Sequence, residues 1–385
     1  VSSKMAYVAV TGGQKAVRRS TELLKRCRTK GRKSLELRAL ENRMELLIHR
    51  VMSEAGFYAP SYASLALKQS EGSVEEAVFL LRAYRSTLSR DYYSKPLEGE
   101  QIRLIRRISA AFKDVAGGQF LGATYDYTHR LLDFSLSHET PEDERLIKEE
   151  WNRYKERAAE ITAPRVSGFL RQEGIITEKI DTSEPVDITQ NPLTFPAPRS
   201  AILQTLTRAD TGYVSGLAYA GIRGFGSSHP TVGELRTGEL EVVIEHPVYE
   251  GEEMVAGEIL VTEVESFFPE EVSREDESDP LRKMQSGQGD KADRNTNCLS
   301  LAVGYGMVFG RNDTKAIAMS ILDRMMDMEG DTILQNQEFV LLHGDCLEMN
   351  GFISHLKLPH YVTFQSKLDR VRHTKQEEPH HGSKL

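Results

Sequence analysis

The histidines of Gly351-Phe352-Ile353-Ser354-His355-Leu356-Lys357-Leu358-Pro359-His360-Tyr361 are the sharpest chemical feature of this sequence. Four residues separate them, a spacing at which they would diverge on one continuous helix. Pro359 cannot sit inside a regular helix, so the segment is expected to bend, and a bent segment can point both imidazoles at one metal ion. Two neutral imidazoles suit zinc and leave positions for a third ligand and for water or substrate; His343 and Cys346 are the in-chain candidates for that ligand. Two unrelated surface histidines would leave the same pattern, and the spacing alone does not choose.

Arg223-Gly224-Phe225-Gly226-Ser227-Ser228-His229-Pro230, followed by Gly233-Glu234-Leu235-Arg236, forms a second cluster. Gly224 and Gly226 let backbone approach an anion, and the guanidinium groups of Arg223 and Arg236, with His229 between them, offer charge-assisted contacts to phosphate or phosphonate oxygens. A helix-to-strand turn would explain the same glycines without a ligand. Gly12-Gly13-Gln14-Lys15 lacks the spacing of a P-loop, and there is no G-x-S-x-G, H-E-x-x-H or dinucleotide fingerprint, so ATPase, hydrolase, zincin and dehydrogenase readings have no local support.

These groups must be held by 385 residues, long enough for one large core or two modest ones. With 39% hydrophobic and 28% charged residues the chain has the composition of a globular protein. A formal charge of -8 disfavours nucleic acid as a general partner. The basic run Lys15, Arg18, Arg19, Lys25, Arg26, Arg28, Lys30, Arg32 and Lys33 reads as a solvated helix and loop, with phosphate binding as the other reading. Cys27, Cys298 and Cys346 lie far apart with no C-x-x-C pair, so neither a disulfide framework nor an iron-sulfur cluster is expected in this chain. No apolar run reaches membrane length and no signal-peptide layout opens the chain, so a cytoplasmic protein is expected, with Met5 the more natural start. The terminal Ser383-Lys384-Leu385 matches a peroxisomal address by coincidence.

The elements that would position the chemistry imply an α+β fold with a mainly α-helical N-terminal lobe and a mixed C-terminal lobe with antiparallel strands. In the first lobe, residues 5–180, Tyr7 to Val10 reads as a strand. Leu40, Met44, Leu47, Ile48 and Val51 recur at helical spacing, and Ser73 with Glu76 makes a capping box. A third helix is expected near Gln101 to Lys113, with Ile102, Ile105, Ile108 and Phe112 on one face. Tyr125 to Phe134 suits a helix lining a cleft, and a charged helix carries Trp151. Four prolines between Asp181 and Pro198 suggest a linker. In the second lobe, residues 199–375, Glu239 to Glu245 and Glu258 to Val264 read as paired strands, Tyr305 to Phe309 as another, and Asp313 or Thr314 as the cap of a helix bearing Ile317, Ile321, Leu322 and Met325. The polar stretch 269–297 reads as a disordered surface insertion.

Together these segments resemble the PhnI family, the I subunit of bacterial carbon-phosphorus lyase. The matching runs are YVAVTGGQKA from Tyr7, ALKQ and EEAVFLLRAYR between Ala66 and Arg85, and RRISAAFKDVAGGQFLGATYDYTHRLLDF from Arg106. In the second half they are LAYAGIRGFGSSHPTVGELRTGELEV from Leu217, GYGMVFG from Gly304 and EFVLLHGDCLEMNGFISHLKLPHYVTFQ from Glu338. The resemblance implies a subunit that joins G, H and J subunits in a two-fold symmetric core complex, with an associated ATP-binding-cassette-type subunit. It assigns the iron-sulfur and radical chemistry to the J subunit. It implies that this subunit and its partners displace the purine of ATP or GTP by methylphosphonate, giving ribose 1-methylphosphonate 5-triphosphate, and that alone it acts as a nucleosidase. The family's metal pair falls on His355 and His360, with zinc the implied metal and Mg2+ accompanying the nucleotide. Ala302-Val303 departs from the Thr-Arg often found in the family before the Gly304-Tyr305 pair, which removes an arginine contact to an anion.

Breaking an N-glycosidic bond builds positive charge on the ribose, so carboxylates near C1 and a proton donor to the purine are required. Asp126, Asp133 and Glu234 are the acidic candidates. Glu234 or Asp126 is expected to stabilise the oxocarbenium-like state while Arg223 and Arg236 orient anionic groups. The metal would act as a Lewis acid or fix a subunit interface. A non-catalytic scaffold subunit of the same complex, or a zinc hydrolase working alone, are the competing expectations.

Overall fold

A computed structural model describes residues 13–97, 99–157, 161–176, 183–225, 229–272 and 298–377. The chain divides into two compact units, residues 37–345 and a smaller one combining residues 1–36 with 346–385. The strand expected at Tyr7 to Val10 lies outside the described residues. Helix α1 (Gln14–Cys27) belongs to the smaller unit and buries none of its residues, so the part of the basic run that it carries is a solvated helix face.

The larger unit begins with α2 (Leu37–Arg43), α3 (Glu45–Ala55), α4 (Pro60–Gln69) and α5 (Val74–Arg85). The periodic run from Leu40 to Val51 is broken at Met44, whose backbone leaves the helical region. Ser73 caps α5, its hydroxyl accepting from the Glu76 amide. Strand β1 (Arg103–Ile108) follows, then α6 (Pro141–Arg157) carrying Trp151, α7 (Val166–Gln172), α8 (Arg199–Arg208) and α9 (Thr211–Ala220). Strands β2 (Thr231–Glu245), β3 (Glu253–Val272) and β4 (Cys298–Phe309) lead to α10 (Asp313–Asp327) and α11 (Gln337–Leu342). The chain then returns to the smaller unit with α12 (Cys346–Ser354), a 3-10 turn at His355–Lys357 and α13 (Tyr361–Glu377).

The strands form one antiparallel sheet in the order β1-β2-β3-β4. Leu235 pairs with Val264, Arg236 with Glu263 and Glu265 with Tyr305. Because side chains alternate along a strand, this register sorts the sheet into two unlike faces. Leu235, Val264, Phe268, Ala302 and Val308 join the main apolar core with Ala316, Met319 and Leu322 of α10. Gly304 and Gly306 let α10 lie directly on β4: a Cβ at either would come 1.9 Å from the Ser320 carbonyl oxygen or 2.2 Å from that of Ala316. The opposite face carries Glu234, Arg236, Glu263, Glu265 and Tyr305, and it too is covered.

Several expectations need correcting. Gln101 to Lys113 is not a helix. It forms β1 at the edge of β2, burying Ile102 and Leu104 while Ile105, at a register shift between Leu104 and Arg106, stays exposed. Tyr125 to Phe134 is likewise not a helix: Arg130 adopts a positive φ of 55°, and Asp133 caps a short 3-10 turn at Phe134–Ser137 through the Ser135 amide. Asn312, one residue before the expected position, caps α10. Residues 183–198 belong to the larger unit, Val186 N donating to Ser200 Oγ and Ala197 N to Gln337 Oε1. The sheet takes β1 from before this stretch and β2 to β4 from after it, so it does not divide two lobes. Pro269 to Val272 belongs to β3; the rest of the expected insertion, 273–297, lies outside the described residues. No helix among the described residues is long and apolar enough to cross a membrane.

Candidate functional site

The chain bends at the histidine pair. After α12 the 3-10 turn ends at Leu358, whose extended backbone is what a residue before proline adopts, and α13 starts at Tyr361. The two imidazole rings lie 5.4 Å apart between centroids. Two imidazoles on tetrahedral positions around zinc, at Zn–N distances of about 2.0–2.1 Å, put their ring centres roughly 5 Å apart. The observed separation matches that spacing. His360 Nδ1 donates to the Leu358 carbonyl at 2.6 Å and His355 Nδ1 to that of Phe352. Each bond fixes the tautomer, leaving the Nε2 lone pair available, the arrangement that orients metal-ligating imidazoles. His360 is exposed and His355 is half-buried. His343, offered above as a third ligand, is exposed in the larger unit and bonds the Phe339 carbonyl, while Cys346 is buried. Among the described residues no three His, Cys, Asp or Glu side chains form a metal-holding group.

In the larger unit, Glu234 and Arg236 lie within the covered sheet face. Glu234 accepts from Arg107 Nε at 2.5 Å on one oxygen and from the Val166 amide at 2.9 Å on the other. It thus caps the N-terminal end of α7 and neutralises a buried arginine. Arg236 donates to the Ala163 carbonyl and stands 3.5 Å from Glu263; its Nε has no acceptor, and burial lowers its pKa. Arg165 bridges Glu263 and Glu265, Ser167 and Arg171 reach Glu265, and Tyr305 donates to Glu263 at 2.9 Å. Burial pushes the Glu263 carboxyl up, against the pull of Arg165 and Arg236. This ionic face was missed in the sequence. Its only signal is the alternation Glu234-Leu235-Arg236 and Glu263-Val264-Glu265, which reads equally well as a strand with one wet face.

Arg223 sits exposed on a π-helical turn, Gly221–Phe225, that also carries Gly224. His229 is exposed, its Nδ1 3.1 Å from the Pro230 carbonyl oxygen. Gly226 lies outside the described residues. No hydrogen bond or ion pair among the described residues joins Arg223 to Arg236.

Asp126 is accessible and ionised: hydrogen bonds from the Thr124 hydroxyl and the Arg106 guanidinium hold its carboxyl below the usual range. Arg106 Nη2 lies 2.7 Å from Asp126 and its Nε 3.1 Å from Asp313. Burial pushes Asp313 up despite that contact. One arginine thus carries two carboxyls whose proton affinities are driven apart. Asp133 turns inward on its own chain, accepting from the Ser135 amide and hydroxyl. Ala302 and Val303 are buried, Val303 with Leu170 and Phe267.

The fold is α+β, with an imidazole pair on a proline bend and aromatic and aliphatic side chains exposed at its surface. The chain belongs to the family described as "Bacterial phosphonate metabolism protein (PhnI)", which it matches over residues 6–378. It is 42% identical to a protein of Stutzerimonas stutzeri that bears the name of a C-P lyase subunit, HtxH, over 96% of each chain. It is 39% identical to alpha-D-ribose 1-methylphosphonate 5-triphosphate synthase subunit PhnI of Rhizobium meliloti (strain 1021), over 96% of this chain and 95% of that one. The subunit of the same name from Escherichia coli (strain K12) is 39% identical over 97% of this chain and 99% of its own.

Proposed function

We propose that this chain is the subunit that, with G, H and J partners and an associated ATP-binding-cassette-type subunit in the cytoplasm, displaces the purine of ATP or GTP by methylphosphonate. The product is alpha-D-ribose 1-methylphosphonate 5-triphosphate; without partners, water takes the phosphonate's place. The observation carrying this reading is the match along nearly the whole chain to two relatives bearing that synthase name.

The chemistry requires negative charge beside C1 as the glycosidic bond lengthens. Asp126 fits that role better than Glu234, being accessible where Glu234 is closed within the sheet. Asp313, on the same arginine and raised by burial, suits proton delivery to the departing purine. Arg223 and His229, both exposed, suit contacts to anionic groups of the substrates, with Mg2+ accompanying the nucleotide. His355 and His360 would hold zinc, which supplies Lewis-acid polarisation of phosphonate or phosphate oxygens. The exposed run Leu131, Leu132, Phe134 and Leu136 suits burial by a partner subunit.

The test is adenine release from ATP by the purified chain and by its complex with partners, with Asp126→Asn and His355→Ala variants alongside. Loss of release in Asp126→Asn with the complex intact supports the reading. The scaffold reading is favoured by the structural duties of Glu234 and Arg236; it predicts no release by any preparation and normal phosphonate use by the His355→Ala strain.

A further inference from the structure

Three arginines from two helices collect at the C-terminal end of α3. Arg82 Nη2 donates to the Glu54 carbonyl at 2.6 Å, and Arg85 Nη1 to those of Ala55 and Gly56 at 3.2 and 2.9 Å. These two satisfy the last carbonyls of α3, where the helix dipole favours cations. Arg208, the last residue of α8, lies over Gly56, and its Cγ and Cδ would stand 3.2 Å from a Cβ placed there. Its guanidinium differs from its neighbours: Nε is sealed from water without an acceptor, and no group among the described residues accepts from its terminal nitrogens.

The carboxylates in range are already engaged. Asp345 accepts from Arg82 at 2.5 Å, and Asp187 from Arg90. Arg82, Arg85, Arg90 and Arg208 thus face two carboxylates, an excess of two positive charges. Burial, then repulsion from Arg82 and Arg85, brings the Arg208 pKa down to about 10, so it stays protonated at neutral pH at a cost that a bound anion would remove. A monoanionic carboxylate would leave one charge uncompensated, whereas a phosphate group carries about -1.5 to -2 and offers oxygens for bidentate guanidinium contacts.

We propose that Arg208, backed by Arg82 and Arg85, is the anchor of a phosphate-binding site on the larger unit. The bound group is a phosphate oxyanion, either free or at the end of a polyphosphate. The reading is independent of the reaction, because its test involves no turnover.

The experiment is thermal unfolding of the full chain in inorganic phosphate against chloride at matched ionic strength, for wild type, Arg208→Gln and Arg208→Lys. Wild type should gain at least about 2 °C in phosphate. Arg208→Gln should melt no lower than wild type in chloride, since a repelled charge is gone, and should lose the phosphate increment. Arg208→Lys should fold normally and keep only part of it. An increment that ATP reproduces at tenfold lower concentration, through Arg208, identifies a nucleotide's phosphates as the source; one given by inorganic phosphate alone identifies the free ion. No increment in wild type, an equal increment in Arg208→Gln, or a Tm loss in that variant in chloride would overturn the proposal.

Discussion

Glu234 and Arg107 form a closed ion pair across β1 and β2, 2.5 Å apart, with neither residue more than 2% exposed. The remaining Arg107 nitrogens donate to the carbonyls of Ala116, Gly118 and Pro164, so the guanidinium is fully occupied away from water. Removing its carboxylate leaves a buried charge with only neutral partners. Glu234→Ala should therefore cost about 3–5 kcal/mol of stability, read by urea unfolding. Unchanged stability together with abolished purine release would instead give Glu234 the catalytic role expected from the sequence.

The contact of α10 on β4 makes a steric prediction. The carbonyl that a Cβ at Gly306 would meet is backbone within α10, so neither side can swing away. Gly306→Ala should destabilise by at least about 1–3 kcal/mol, despite the better intrinsic propensity of alanine, because the helix must shift off the sheet. A denaturation midpoint equal to wild type would mean that α10 does not approach so closely.

The paired strands, the helix cap at Ser73 and the bend at Pro359 were legible in the sequence because each is set by local chemistry: alternation, a side chain reaching its own helix end, a missing amide. β1 was not. A strand of Arg103-Leu104-Ile105-Arg106-Arg107-Ile108 is credible only once Glu239, Glu234 and Asp126 stand ready to neutralise its arginines, and those partners lie 20 to 136 residues away. The same holds for the site. The histidine pair lies within one short stretch of sequence, whereas the Asp126–Arg106–Asp313 bridge joins three elements and surfaces only in the fold.

His49 gives a pH dependence. It is buried on α3, and its Nδ1 accepts from the Arg311 amide at 3.2 Å. Burial, and secondarily the Arg311 charge, lower its pKa from 6.5 to about 4. The folded state thus keeps His49 neutral where the unfolded chain takes up a proton. Its contribution is fully present above pH 6.5 and is lost as pH falls toward 4, amounting to roughly 3 kcal/mol. Burial raises Asp313, Asp323 and Glu263, which acts in the opposite direction, so the comparison must be differential. Between pH 7 and 4.5, His49→Asn should lose less stability than wild type by urea unfolding; parallel losses would remove His49 as the cause.

The histidine bend predicts a metal affinity that is lost without loss of fold. Structural zinc sites with four protein ligands bind with apparent free energies of about 10–16 kcal/mol, so one ligand carries roughly 3 kcal/mol, a factor of about 100 in affinity. His360 is exposed and His355 half-buried, and their Nδ1 bonds are to carbonyls within three residues, so neither holds the larger unit together. His355→Ala and His360→Ala should each weaken zinc binding roughly 100-fold in equilibrium dialysis, with the double variant little worse than either. The melting temperature of the zinc-free protein should not move. If the two substitutions instead weakened binding by independent, additive steps, or if only one mattered, the imidazoles would not share an ion.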